Sequence, residues 1–262
     1  MKPWEGYMEP FQIFGNLYFI GTTFVSSHLI DTGDGLVLID SGYPQCTYLT
    51  LENIRKLGFT PYDIKYIIHS HGHYDHIGGT RAIVELTGAK TVIGRPDREY
   101  VNGTVDLTWA KELGYEYDEM FEPDILLDDG DVFKCGNTEI KCIATPGHTP
   151  GVMSFFFNVT DGENTYRAAM FGGAGMNSMK KEFLHKYGLP LSLRDDFVNS
   201  LNKVRGEHVD ILIGNHPGDA QTKQKYERML AGEKNPFLDP TAWHRRLDYS
   251  MNQFNEMVAS GQ

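Results

Sequence analysis

No run of apolar residues in this chain approaches the roughly 18 needed to cross a bilayer, and Met1-Lys2-Pro3-Trp4-Glu5-Gly6 lacks the apolar centre of a secretion signal. The expectation is a cytoplasmic protein with no membrane partner. Positive charge is scarce as well. Lys and Arg number 24 against 35 Asp and Glu, a net charge of -11, which argues against nucleic acid as partner or substrate. Cysteine is confined to Cys46, Cys135 and Cys142, an odd count with no Cys-x-x-Cys spacing, so reduced thiols fit better than a disulfide framework. There is no repeat of solenoid period, no low-complexity run and no Gly-rich phosphate loop. With 40% apolar residues over 262 positions the chain can bury a large core, and it reads as one domain spanning residues 1–262.

What the chain does have is a concentration of histidine. Ser70-His71-Gly72-His73-Tyr74-Asp75-His76-Ile77-Gly78-Gly79 sets three histidines and an aspartate within six positions. From the chain's own His and Asp frequencies, a chance His-x-His-x-Asp-His has odds of roughly one in a thousand, so the segment is read as a metal site. Residues 65–69 ahead of it are apolar and β-prone, and residues 81–86 behind it carry helical spacing that stops at Gly88. The motif therefore occupies a strand-to-helix turn. On such a turn His71 and His73 point the same way, while Asp75 and His76 open the helix and reach a second point nearby.

The segment resembles the His-x-His-x-Asp-His signature of the metallo-β-lactamase superfamily, and the likeness runs over nearly the whole chain. Leu38-Ile39-Asp40-Ser41-Gly42 is similar to the family's strand ending in an Asp-x-Gly turn. That implies an Asp40 lying beneath the metal loop and holding it by hydrogen bonds. Thr145-Pro146-Gly147-His148-Thr149-Pro150-Gly151 resembles the motif whose histidine completes the first metal's triad, which makes His148 that ligand. Asn215-His216-Pro217-Gly218 is similar to the family's last ligand motif, with His216 in the ligand position. The resemblance and the donor chemistry together imply two zinc ions, one on His71, His73 and His148, the other on Asp75, His76 and His216. Zinc lowers the pKa of bound water to about 7, so a hydroxide able to attack a carbonyl exists at neutral pH, with Asp75 accepting or orienting a proton.

Two departures refine the resemblance. Members such as glyoxalase II carry an aspartate that bridges both metals, and here the matching place reads Gly172-Gly173-Ala174, with Gly173 taken as the position of the missing carboxylate. The second zinc is accordingly expected to bind more weakly. The lack of a bridge points toward the third subclass of metallo-β-lactamases, whose second zinc uses Asp-His and a late His followed by Pro-Gly. That subclass usually carries Ser-x-Ser where Ala174 and Met176 stand here, so efficient antibiotic hydrolysis is not expected. The function implied is a dinuclear zinc hydrolase acting on a small lactam, lactone, ester or thioester. An iron-dependent oxidoreductase of the same fold and a non-catalytic metal-binding homologue are the alternatives.

Hydrophobic patterning supplies the frame. Short strands are read at residues 11–20, 24–30, 36–39 and 91–93, then at 124–127, 132–134, 139–144, 152–158, 165–170 and 210–213. Helices are read at 44–57 and 193–204, with two more closing the chain. Strands in the middle with helices on both outer faces give an α/β, four-layer αββα sandwich with the metals at one edge. Trp243, Leu247, Met251, Phe254 and Val258 form a stripe read as core packing. Segments 102–122 and 175–191 do not fit the sandwich. Their aromatic residues and lysines are expected to wall a substrate pocket.

Overall fold

A computed structural model describes residues 1–262. The strands are β1 (Phe11–Phe14), β2 (Leu17–Phe19), β3 (His28–Asp31), β4 (Leu36–Ile39), β5 (Ile64–Ile68), β6 (Lys90–Gly94), β7 (Ile125–Leu127), β8 (Val132–Cys135), β9 (Thr138–Ala144), β10 (Met153–Thr160), β11 (Thr165–Met170) and β12 (Ile211–Ile213). The helices are α1 (Thr47–Lys56), α2 (Tyr74–Ile77), α3 (Thr80–Thr87), α4 (Arg98–Val101), α5 (Lys181–Lys186), α6 (Leu193–Val204), α7 (Thr222–Leu230) and α8 (Ala242–Ala259). Strands β1 to β7 form one sheet in sequence order, antiparallel up to β4 and parallel from β4 onward. The second sheet runs β12-β11-β10-β9-β8, with only the β11–β12 pair parallel.

Alternation along the strands builds the layers. On β10, Phe155 and Phe157 enter the cluster between the sheets, while Phe156 faces the other way and packs with Phe197 of α6 and Trp243 and Leu247 of α8. On β4, Val37 and Ile39 face the inter-sheet cluster and Leu36 and Leu38 pack with Ile54 of α1 and Ile83 of α3. Period-two side-chain geometry thus gives each central strand two buried faces, each large side chain contributing roughly 2 kcal/mol of burial. The order from one surface to the other is helices, sheet, sheet, helices, the αββα sandwich expected from sequence.

Two local expectations are corrected. The strand read at residues 24–30 begins only at His28. The Thr22 hydroxyl accepts from the amides of Phe24 and Val25, folding that stretch into a turn and freeing the Phe24 carbonyl for another partner. In α8, Trp243, Leu247 and Phe254 are buried, but Val258 is exposed and Met257 takes the inward place. No helix is long and apolar enough to cross a membrane. The loops following β4, β5, β6, β11 and β12, with the β9–β10 connection, meet along one edge, where strand carboxyl ends commonly frame a ligand crevice.

Candidate metal centre

The histidine-rich loop leaves β5 as a buried strand and is shaped by Asp40 at the end of β4. Asp40 is fully buried and has φ +56°, a left-handed conformation costing a non-glycine residue about 1 kcal/mol or more. Its carboxylate repays this with three bonds: it accepts from the Ser70 amide (2.8 Å), from the Ser70 hydroxyl (2.7 Å) and from His76 Nδ1 (2.9 Å). One side chain therefore ties the start of the loop to its end.

The imidazoles are oriented by what stands behind them. His71 Nδ1 lies 2.9 Å from the Gly172 carbonyl, His148 Nδ1 2.7 Å from the Gly175 carbonyl, and His216 Nδ1 3.1 Å from the Phe24 carbonyl. A carbonyl only accepts, so each Nδ1 carries the proton and each Nε2 keeps its lone pair. Those lone pairs point inward. The ligand atoms of His71, His73 and His148 lie within 4.8 Å of one another, as do those of Asp75, His76 and His216. His73 Nδ1 and His148 Nε2 are 2.9 Å apart, and Asp75 Oδ2 is 3.3 Å from His76 Nε2 and 3.5 Å from His216 Nε2. The Nε2 atom of His71 is buried with no hydrogen-bond partner.

Protonation differs between the two groups. Burial pushes His148 down to about 4, and burial with repulsion from neighbouring imidazoles holds His71 and His73 well below the usual histidine range. These three are neutral at pH 7. Burial alone would lower His76 too, but the Asp75 and Asp40 carboxylates override it and raise His76 to about 10. Burial alone would raise Asp75; His76, His216 and His73 pull it instead well below the carboxylate range.

A second buried carboxylate clamps the loops from the other side. Asp97, just past β6, accepts from the Gly72 amide (2.8 Å), the Thr149 hydroxyl (2.6 Å) and the Gly151 amide (2.7 Å). It thus joins the turn between His71 and His73 to the turn carrying His148. Burial lifts its carboxyl to about 6 against those bonds. Gly147, beside His148, has φ +145° and leaves no room for a Cβ, which would stand 2.5 Å from Phe197 Cβ. The two groups open into a cleft of about 520 Å³ walled by Trp109, Ala174, Met176, Asn177, Arg246 and Tyr249 among others.

A family model described as the metallo-beta-lactamase superfamily matches residues 20–161. The chain belongs to the metallo-beta-lactamase superfamily. Among solved members, BJP-1, a subclass B3 metallo-beta-lactamase of Bradyrhizobium japonicum, is 30% identical with a TM-score of 0.88, over 99% of this chain and 97% of that one. The class B3 di-zinc enzyme LRA-12 from an Alaskan soil metagenome is 25% identical with a TM-score of 0.85, covering 98% and 97%. The N-acyl homoserine lactonase AttM of Agrobacterium fabrum is 34% identical over 113 residues, 40% of each chain. The chain spans about half, or less, of the length of the curated relatives it matches.

Within this superfamily frame, the structure brings together all six residues singled out as ligands and sets Asp40 beneath them. A Cβ on Gly173 would stand 3.0 Å from His148 Cδ2, and Ala174, one residue on, lines the cleft. Two details differ from the sequence reading. No lysine of segment 175–191 reaches the cleft: Lys180 and Lys181 are exposed and Lys186 pairs with Glu112 (2.9 Å). The cation there is Arg246 of α8, paired with Asp219 at 2.6 Å. Of the aromatics in segment 102–122, Trp109 lines the cleft, its ring tilted 43° against Phe183 with centres 4.5 Å apart, whereas Tyr115 and Tyr117 pack on Tyr74 and Phe121 is buried. Asp97 went unnoticed in the sequence, where a lone acid after Arg-Pro carries no signal.

Proposed function

We propose that the chain, acting as one catalytic domain, is a dinuclear zinc hydrolase that cleaves an ester, lactone or thioester bearing an apolar flank. The observation carrying this reading is the pair of convergent donor sets, their imidazoles fixed from behind with the ligating atoms turned inward. Imidazole and carboxylate donors suit zinc, and three histidines that leave a fourth position open make an arrangement of catalytic type. His71, His73 and His148 would hold one ion, and Asp75, His76 and His216 the other. When bound, the ions supply a water acidified to neutral pKa and positive charge for the anion developing on a carbonyl oxygen.

The remaining work falls to the chain. Gly172, Gly175 and Phe24 keep the histidine tautomers in the ligating form, and Asp40 and Asp97 hold the loops in register. Asp75 stays ionised, and a carboxylate of such low basicity orients a proton donor rather than retaining its proton. Trp109 on Phe183 gives the cleft an apolar wall and excludes water from that side. The names of the related proteins, a lactonase and beta-lactamases, favour hydrolysis over iron-dependent oxidation.

Ala174 and Met176 offer no hydroxyl to a β-lactam carboxylate, and Arg246 is already engaged by Asp219. A carboxylate deprived of its hydrogen bonds forfeits roughly 1 to 3 kcal/mol, about ten to a hundredfold in rate if the bonds act in the transition state. Penicillin and carbapenem turnover is therefore expected below about 10⁴ M⁻¹ s⁻¹, with lactones or thioesters faster. A panel of these substrates on the zinc-loaded protein tests this, and a lactam outpacing every ester, lactone and thioester would reverse the assignment.

The geometry around residue 173 gives a second expectation. Gly173→Asp should press on His148 and weaken zinc at the first site, whereas Ala174→Asp places a carboxylate on the cleft wall and should tighten the second. Competitive chelation of both variants reads the two affinities; tighter second-site binding in Gly173→Asp alone would overturn this expectation and place the bridging position at residue 173.

A further inference from the structure

Beside the metal cleft lies another cavity, of about 460 Å³, between α7, α8 and the turn at residues 218–221. Its floor is the buried, apolar Leu212, Ala220 and Ala242, and its wall carries Lys225, Arg245 and Arg246. Three cations around one hollow stand out in a chain of net charge -11. Arg245 is paired with Asp239 and Arg246 with Asp219, both at 2.6 Å. Lys225 has no such partner. It is 2% exposed, its ammonium makes no hydrogen bond, and it lies over the Phe237 ring, 5.2 Å from Nζ to centroid. Burial lowers Lys225 to about 8, with Asp239 opposing and Arg245 and Arg228 adding to the drop. The start of α7, which has no acidic residue in its first turn, adds positive potential on the same side.

An ammonium buried without an anion destabilises a fold, and methionine would fill the same space without that cost. A residue that breaks this rule beside a cavity of ligand size points to function. We propose that this cavity binds a small molecule carrying a carboxylate or phosphate group, its charge set against Lys225, the one cation there without a carboxylate partner, with Arg245 at the rim and its apolar part on Leu212 and Ala242. Lys225 acts across a low-dielectric wall, where an unscreened charge reaches further than in water. The site is distinct from the two donor sets, none of whose residues lines it, but Asp219, Arg246 and Tyr249 line both hollows. Asp219 also accepts from the His216 amide (3.2 Å), so the anion site abuts the turn that presents His216.

Thermal unfolding of the full chain tests this, with sodium phosphate and sodium butyrate titrated separately at ionic strength matched with chloride, both zinc-loaded and metal-free. The melting temperature of the wild type should rise saturably with one anion or both, and which one responds identifies the group recognised. Lys225→Met should melt higher than the wild type without anion and gain nothing beyond the chloride control. Arg245→Gln, on the exposed rim, should need several-fold more anion for the same shift. No saturable rise with either anion, or a Lys225→Met protein that melts lower and still responds fully, overturns the proposal. Should Lys225→Met not fold, an undiminished response in Arg245→Gln overturns it equally.

Discussion

Alanine in place of His71 is expected to abolish turnover, by about a thousandfold or more, and to empty the first zinc site while the fold survives. Residues standing behind a metal ligand typically carry 10- to 100-fold in affinity or activity, and the ligand itself should exceed that. His71 is buried, and its inward nitrogen has no protein partner to lose. Its outward nitrogen meets the Gly172 carbonyl, but Asn215 Nδ2 donates to the same oxygen at 2.7 Å, so the substitution leaves no buried acceptor unpaired. Zinc content after dialysis, hydrolysis of the best substrate, and the melting temperature in chelator form the measurement. Wild-type activity in the variant would remove the triad from the mechanism; a collapsed fold would show that His71 is structural.

Zinc affinity at the second site is expected to climb about tenfold per pH unit through the neutral range, while affinity at the first site stays nearly independent of its histidines. The sign follows from the proton each site must release. In the metal-free protein His76 is held protonated up to about pH 10 by Asp75 and Asp40 against the pull of burial. Ligation needs its Nε2 lone pair, so binding there expels one proton at any pH below about 10. His148 has already lost its proton above about pH 4, and His71 and His73 lose theirs lower still than an ordinary histidine. Chelation at pH 6 should therefore strip the ions in two separated steps that draw together toward pH 9. Proton release in weak buffer, measured with zinc added one equivalent at a time, gives the count. Equal pH slopes for both sites would show that His76 is not held as the charged form.

The legible parts of this site are those the chain keeps close together. His71, His73, Asp75 and His76 share one turn, and their chemistry is dense enough to read without a fold. His148 and His216 are separated in sequence but flagged by Pro-Gly turns. Asp97 has no such flag. Its role exists only because β6 runs parallel to β5 and ends beside two loops whose bonded residues, Gly72 and Thr149, lie 25 and 52 residues away. The Phe24 carbonyl is equally silent, since apolar spacing reads residues 24–30 as a strand and cannot show that a threonine hydroxyl folds its first part into a turn. What a side chain at Gly173 would meet is silent too, since glycine has no side-chain direction to read in a sequence; only the backbone shows that a Cβ there would stand against His148 while Ala174 lines the cleft. In α8 the inward stripe passes from Phe254 to Met257, three residues on, and a choice between 257 and 258 at a helix end is set by neighbours rather than by period.

Each donor trio takes two side chains from the loop after β5, in the first sheet, and one from a loop of the second sheet: His148 from the β9–β10 connection, His216 from beyond β12. An ion held by either trio is thus a rivet across the seam of the sandwich, joining segments of chain 75 to 141 residues apart. Such a rivet makes folding a function of the surroundings, because a ligand bound only by the native state adds about 4 kcal/mol when its free concentration is a thousand times the dissociation constant and nothing when it is absent. The stability of the folded protein would then follow the free level of its metal, and scarcity of that metal would loosen the sandwich as well as silence the site.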